Sequence, residues 1–281
     1  MHHAAVAGRH PIRNLLLPTL LAALIGPSQA LATVPLDQAI GTRTPLAGTD
    51  RPTIDPTTGP LFFAGLDRPH SCSAAVVASP SRDLVLTAAH CIIGSGAGTR
   101  FVPGYSHGST PYGVWTVLAA YVDPAWITDR DPAHDVAILK MGPQQLDGTR
   151  RGIEDVVGAN LLGTEPADST EIEVPAYPMG LDDDPTDCRA EAHHTGRYPT
   201  FDCPGYPGGT SGAPFLVSLG PPDGRTYDHL VVGVIGGLRQ GGCRDDTSYS
   251  SPFGPEVHQL WLRASSNARA DVAPAPGSSG C

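Results

Sequence analysis

The chain has 281 residues and a formal net charge of −10, with 40% hydrophobic and only 16% charged residues. That apolar fraction can bury a sizeable core, so intrinsic disorder is excluded, although length alone leaves one large domain or two small ones open. An acidic chain without a basic patch cannot neutralise phosphates, which excludes a nucleic-acid partner.

In chain order, Arg9 and Arg13 precede an apolar run from Leu15 to Ile25, and Ala30-Leu31-Ala32 follows. A charged start, an apolar stretch and small residues form the layout of a secretory signal over residues 1–32, with cleavage expected after Ala32. The run is short for a bilayer span and Pro18 interrupts it, so the mature protein is expected outside the cell and free of the membrane. Residues 33–57 are polar, without periodicity, and read as a propeptide or loose N-terminal segment. Lys140 is the only lysine among 18 basic residues, an arginine bias that suits a GC-rich bacterial genome.

Short apolar runs then follow at 61–64, 73–79, 84–88, 114–122, 136–140, 172–175, 213–218 and 230–235. Most are rich in Val, Ile, Leu or aromatics and are bounded by Gly, Pro or Asp, so they read as strands. The 33 glycines and 29 prolines lie between them, as expected of tight turns. From Pro255 to Arg263, Val257, Leu260 and Trp261 share one helical face behind an N-terminal proline. Residues 264–281, rich in Ala, Ser, Pro and Gly, read as a flexible tail. The chain is therefore expected to be all-β with a C-terminal helix.

Export puts Cys72, Cys91, Cys188, Cys203, Cys243 and Cys281 in an oxidising compartment, where disulfides are expected. None forms a C-x-x-C pair, which argues against a zinc ribbon, and no metal or organic cofactor is expected.

Three segments carry chemistry. Leu84-Val85-Leu86-Thr87-Ala88-Ala89-His90-Cys91 ends a buried strand in small residues, which let the His90 ring lie close to neighbouring backbone. Cys91 can staple this turn to the strand headed by Cys72, closing a loop worth on the order of 3 kcal/mol. In His134-Asp135-Val136-Ala137-Ile138-Leu139, Asp135 opens an apolar strand, where a half-buried carboxylate can hold an imidazole. In Pro207-Gly208-Gly209-Thr210-Ser211-Gly212-Ala213-Pro214, glycines flank Ser211 and let the backbone turn sharply toward a substrate. A serine hydroxyl needs a neutral imidazole to take its proton and a carboxylate to orient that imidazole, and the three segments supply these types. Asp123, Asp129 and Asp131 compete with Asp135 but sit in a Pro-rich stretch that reads as solvated loop. His134 reads as a bystander, His193 and His194 as exposed loop residues, and Asp182-Asp183-Asp184 as a solvated turn with some capacity for calcium.

Together, in the order His, Asp, Ser, these segments resemble the signatures of chymotrypsin-like, or trypsin-like, serine peptidases over residues 58–263. The subtilisin and α/β-hydrolase orders do not fit. The resemblance implies two six-stranded antiparallel β-barrels, about 58–146 and 164–254, with a crossover at 147–163 and the site between them. It implies that His90 is the general base, Asp135 orients it, Ser211 attacks the scissile carbonyl, and Gly209 and Ser211 donate the oxyanion hydrogen bonds. It further implies that Ile235, Gly236 and Gly237 line the substrate cleft, with the backbone of Gly236 and Gly237 pairing with substrate. Gly205 holds the position where trypsins carry the specificity Asp. The expected activity is hydrolysis of protein or peptide substrates by a monomer.

Two departures qualify this. Thr210 replaces the Asp that pairs with a new N-terminus in activated trypsins, and an Ile-Val-Gly-Gly-like start is missing. In these respects the chain is closer to the bacterial glutamyl-endopeptidase-like branch. Yet Ile235 and Gly236 stand where that branch places a histidine, and Gly205 removes the trypsin preference. Cys188 and Cys203 bracket a hairpin-sized segment and are paired, leaving Cys243 with Cys281. The competing pair is Cys203–Cys243, as in many relatives. A secreted esterase with the same triad and an inactive binding homologue are the alternative readings.

Overall fold

The structure is a computed structural model that describes residues 55–180, 185–220 and 227–281. The expected signal segment, most of residues 33–57 and the acidic run 182–184 lie outside the described residues.

Strands β1 (Thr58–Phe62), β2 (Cys72–Val77), β3 (Leu84–Thr87), β4 (Arg100–Phe101), β5 (Trp115–Val122) and β6 (Ala137–Met141) close into a barrel. Its order is β1-β2-β3-β6-β5-β4, with every pair antiparallel. Helix α1 (Pro124–Asp129) lies between β5 and β6. The strands are apolar on both faces because both are covered. Val85 of β3 and Leu139 of β6 pack inside the barrel with Trp115 and Phe101. Leu84, Leu86 and Ile138 point the other way, against Leu216, Val231, Val234, Phe253, Val257 and Leu260 of the second half. Alternate residues therefore serve two cores, as a period of two dictates.

The chain crosses over through the hairpin β7 (Gln144–Leu146) and β8 (Thr149–Arg151), helix α2 (Ile153–Val157) and β9 (Leu161–Leu162). Then come β10 (Glu171–Glu173), β11 (Arg189–Glu191), β12 (His193–Thr195), β13 (Tyr198–Asp202), β14 (Pro214–Ser218), β15 (His229–Val234) and β16 (Thr247–Tyr249). The expected all-β class and the first barrel are found. The second half is a five-stranded sheet, β11-β10-β14-β15-β9, and a three-stranded sheet, β12-β13-β16, joined by the isolated bridge Ile235–Ser250. Its ladders are interrupted because several strands have only two or three residues and the β14–β15 register shifts between Phe215 and Leu216. One pair, β9 with β15, is parallel. Phe201, Phe215 and Tyr206 centre its core in edge-to-face contacts at 5.0–5.1 Å between ring centroids.

Helix α3 (Pro255–Ser265) forms as expected, with Val257, Leu260 and Ala264 buried. Trp261 Nε1 donates to Ala78 O at 2.8 Å. Residues 264–281, expected to be a flexible tail, are instead tied to the first barrel. Asp271 accepts from Val122 N–H at 3.0 Å and from Arg263 at 2.8 Å, and Ala273 exchanges two backbone bonds with Gly94. Composition suggested a loose end, and these long-range bonds override it. All three disulfides pair as expected: Cys72–Cys91, Cys188–Cys203 and Cys243–Cys281. Among the described residues, no helix is long and apolar enough to cross a membrane.

Leu86 is fully buried where the two halves meet. Leu86→Ala is expected to cost about 2–5 kcal/mol, seen as a lower urea midpoint with an unchanged slope. A cost below about 1 kcal/mol would show that the halves do not depend on this shared core.

Candidate active site

β3 delivers the chain to fully buried Ala88 and Ala89, and a single 3-10 turn, Ala89–Cys91, carries His90. The Cys72–Cys91 disulfide fastens this turn to the head of β2. Asp135 ends a second 3-10 turn, Pro132–His134, whose N-terminus is capped by Asp131 accepting from Ala133 N–H at 2.9 Å. Asp123 caps α1 in the same way, accepting from Ala125 N–H at 2.8 Å. Asp123 and Asp131 both face His134, at 3.2 and 3.8 Å, and Asp129 is exposed at the end of α1. These rivals of Asp135 therefore shape the loop instead of meeting His90.

Asp135 was expected to be half-buried and is fully buried. An ionised carboxylate out of water needs a donor for each lone pair it can supply. Oδ1 accepts from His90 N–H at 2.8 Å. Oδ2 lies 2.7 Å from His90 Nδ1 and accepts from Gly237 N–H at 2.9 Å. The Asp135 N–H donates to Ser251 Oγ at 3.0 Å, and Ser251 Oγ donates to Pro132 O at 2.8 Å. Facing an acceptor-only group, Nδ1 of the neutral ring carries the proton, which leaves Nε2 as its acceptor.

The serine segment is built to aim N–H groups. Gly208 C=O accepts from Met179 N–H at 2.7 Å, and Thr210 C=O accepts from Ala213 N–H at 3.0 Å. A trans peptide points its N–H opposite its C=O. The N–H groups of Gly209 and Ser211 are therefore turned away from those partners, and neither has a hydrogen-bond partner among the described residues. Thr210 is buried and its hydroxyl donates to Pro207 O at 2.8 Å, closing the turn without any charge.

Ser73 of β2 fixes this loop to the first barrel. Its N–H donates to Ser211 O at 2.7 Å, and its Oγ donates to Gly209 O at 3.1 Å while accepting from Tyr177 N–H at 2.9 Å. Gly209, at φ +99°, lies so close to Met179 that a Cβ would fall 2.2 Å from its nitrogen. Gly212, at φ +83°, packs against β2 and β3, where a Cβ would fall 2.1 Å from Thr87 Oγ1 and 2.3 Å from Ser73 O.

His90 and Ser211 line one cleft of about 820 Å³, together with Gly209, Met179, Tyr206, Ile235 and Ser248. The Tyr206 hydroxyl donates to Val174 O at 2.5 Å, and burial raises its pKa, so this wall stays uncharged. Gly205 is exposed and outside the cleft lining, because the chain has already turned toward Tyr206. Of the expected cleft strand, only Ile235 reaches the lining. The backbone of Gly236 and Gly237 was expected to pair with substrate; their N–H groups donate within the chain, to Tyr249 O at 2.8 Å and to Asp135 Oδ2 at 2.9 Å. His193 and His194 lie in β12, with His194 Nδ1 2.6 Å from Asp168 Oδ1, away from the cleft. Cys72, His90 and Cys91 bring ligand-type atoms within 4.8 Å of one another, but the two sulfurs are bonded to each other and cannot serve as thiolate ligands.

No protein-family model matches this chain, and no curated protein matches it in sequence. Solved structures do match in fold. Protease Anisep from Arthrobacter nicotinovorans aligns with a TM-score of 0.60 and 24% identity, over 75% of this chain and 96% of that one. A thermostable serine protease, AL20, from an extremophilic microorganism aligns at 0.61 and 23%, over 75% and 98%. A Glu endopeptidase aligns at 0.54 and 15%, over 76% and 92%. The fold is the chymotrypsin-like fold of these serine proteases.

Gly212→Ala should strain the backbone and collide with Thr87 and Ser73 across the junction of the halves. A loss of about 2–5 kcal/mol in chemical denaturation is expected. A neutral substitution would show that this close approach is not obligatory.

Proposed function

We propose that this chain is an exported serine endopeptidase that hydrolyses peptide bonds through Ser211, His90 and Asp135 by way of an acyl-enzyme. One observation carries the reading. A buried carboxylate fixes the His90 ring by Nδ1, in a cleft that also holds Ser211 and two outward-turned N–H groups.

In this mechanism His90 Nε2 takes the Ser211 hydroxyl proton as Oγ attacks the scissile carbonyl. The carbonyl oxygen gains charge and is met by the Gly209 and Ser211 N–H groups, which are oriented before reaction and need no rearrangement. The imidazolium that forms is stabilised by Asp135, which stays ionised. His90 then returns the proton to the leaving amine, and water repeats the sequence to release the acid and restore Ser211. Turnover needs the groups of this chain and water alone. The signal-like layout of residues 1–32 and the three disulfides support an extracellular site for this activity.

Two outcomes test the assignment. Ser211→Ala should abolish peptide turnover and labelling by a serine-directed phosphonate, and labelling that survives would refute the role of Ser211. Asp135→Asn should keep the fold but lower kcat by about four orders of magnitude, because an amide favours the wrong imidazole tautomer. A kcat within about tenfold of the original would remove Asp135 from the mechanism.

A further inference from the structure

The cleft has a wall that the two-barrel plan does not supply. Pro276, Ser279 and Cys281 line it beside His90 and Ser211. The segment that brings them there starts on the first barrel. Asp271 N–H donates to Ala120 O at 2.9 Å, Ala273 pairs with Gly94, and Arg130 donates to Ala275 O at 3.1 and 3.2 Å. It ends on the second half. Gln240 Nε2 donates to Gly277 O at 3.1 Å, and Cys281 is bonded to Cys243. Gln240 and Cys243 line the same cleft. Between the anchors runs Ala273-Pro274-Ala275-Pro276, where two prolines fix φ and bias the residues before them to extended backbone. The crossing piece is therefore stiff. Its far end depends on the disulfide, which closes a loop with a sequence separation of 38.

We propose that residues 271–281 form a strap that closes one end of the cleft and limits how many substrate residues it admits on that side. This deepens the peptidase reading and rests on it. A chain lying in the cleft with its carbonyl at Ser211 extends in two directions, and the strap obstructs one of them. Short segments fit inside it, whereas longer ones must pass it.

The test uses peptides of the best-cleaved sequence, lengthened stepwise on one side or the other of the scissile bond. The processed protein is compared with Cys243→Ser/Cys281→Ser and with Arg130→Ala, which keeps all three disulfides. Stoichiometric phosphonate labelling of Ser211 certifies a formed site in each. In the serine pair, kcat/KM for long relative to short peptides should rise roughly tenfold in one length series and stay level in the other. Arg130→Ala should shift the same series in the same direction. Length profiles that match the original in both series, with labelling intact, overturn the strap. If the serine pair does not fold, Arg130→Ala decides alone, and an unchanged profile overturns the proposal. A processed protein that neither labels nor cleaves refutes the peptidase reading itself, and the strap's role falls with it.

Discussion

The molecule is organised around a carboxylate with no exposed surface and, among the described residues, no guanidinium or ammonium bonded to it. Asp135 is held by backbone N–H groups and one imidazole: His90 N–H, the His90 ring and Gly237 N–H. Stripping water from an anion is costly, and a donor lost from this set leaves a lone pair unmet in a low-dielectric site. The donors come from both halves of the chain, so the hydrogen bonds that orient Asp135 depend on how the halves dock. Its two oxygens also leave His90 little freedom. One takes the backbone of residue 90 and the other takes the ring of the same residue, which fixes main chain and side chain together.

The Ser211 loop shows the same economy in another form. Ser73 contributes one N–H and one hydroxyl, and these hold Ser211, Gly209 and Tyr177 in a single cluster. Gly212 is the point where the loop touches the first barrel without an intervening side chain. Met179 N–H turns the peptide plane that carries the Gly209 N–H. Orientation of the Gly209 and Ser211 N–H groups thus comes from peptide geometry and close contact, with no ion pair next to the serine among the described residues. Thr210, hydrogen-bonded within its own turn, fits that arrangement.

Much of this was legible in residue order. The types and surroundings of His90, Asp135 and Ser211 follow from what acyl transfer demands of a side chain, and most strands announced themselves by β-branched runs between turn residues. What was illegible depends on contacts distant in sequence. Nothing local to Asp135 says that Gly237 and Ser251 will cover it, so its burial was underestimated. Nothing local to Gly236 says that its N–H will pair with Tyr249. The second half was expected to close like the first, but its two- and three-residue strands and the shifted β14–β15 register leave two sheets joined by a bridge. Residues 264–281 have the composition of a loose end, and only the partners at Gly94, Val122 and Cys243 make them a wall.

The pairing of Cys243 with Cys281 also sets a schedule. A ribosome delivers His90 and Asp135 long before Gly237, and Gly237 before Cys281. The carboxylate therefore waits for its last donor until Gly237 has been made, and the cleft waits for its final side until Cys281 has been made and has found its partner thiol. The part-made chain holds a serine, a histidine and an aspartate without the enclosure that would align them. Synthesis from the N-terminal end thus delays completion of both the Asp135 donor set and the cleft until residues far along the chain have joined residues made much earlier.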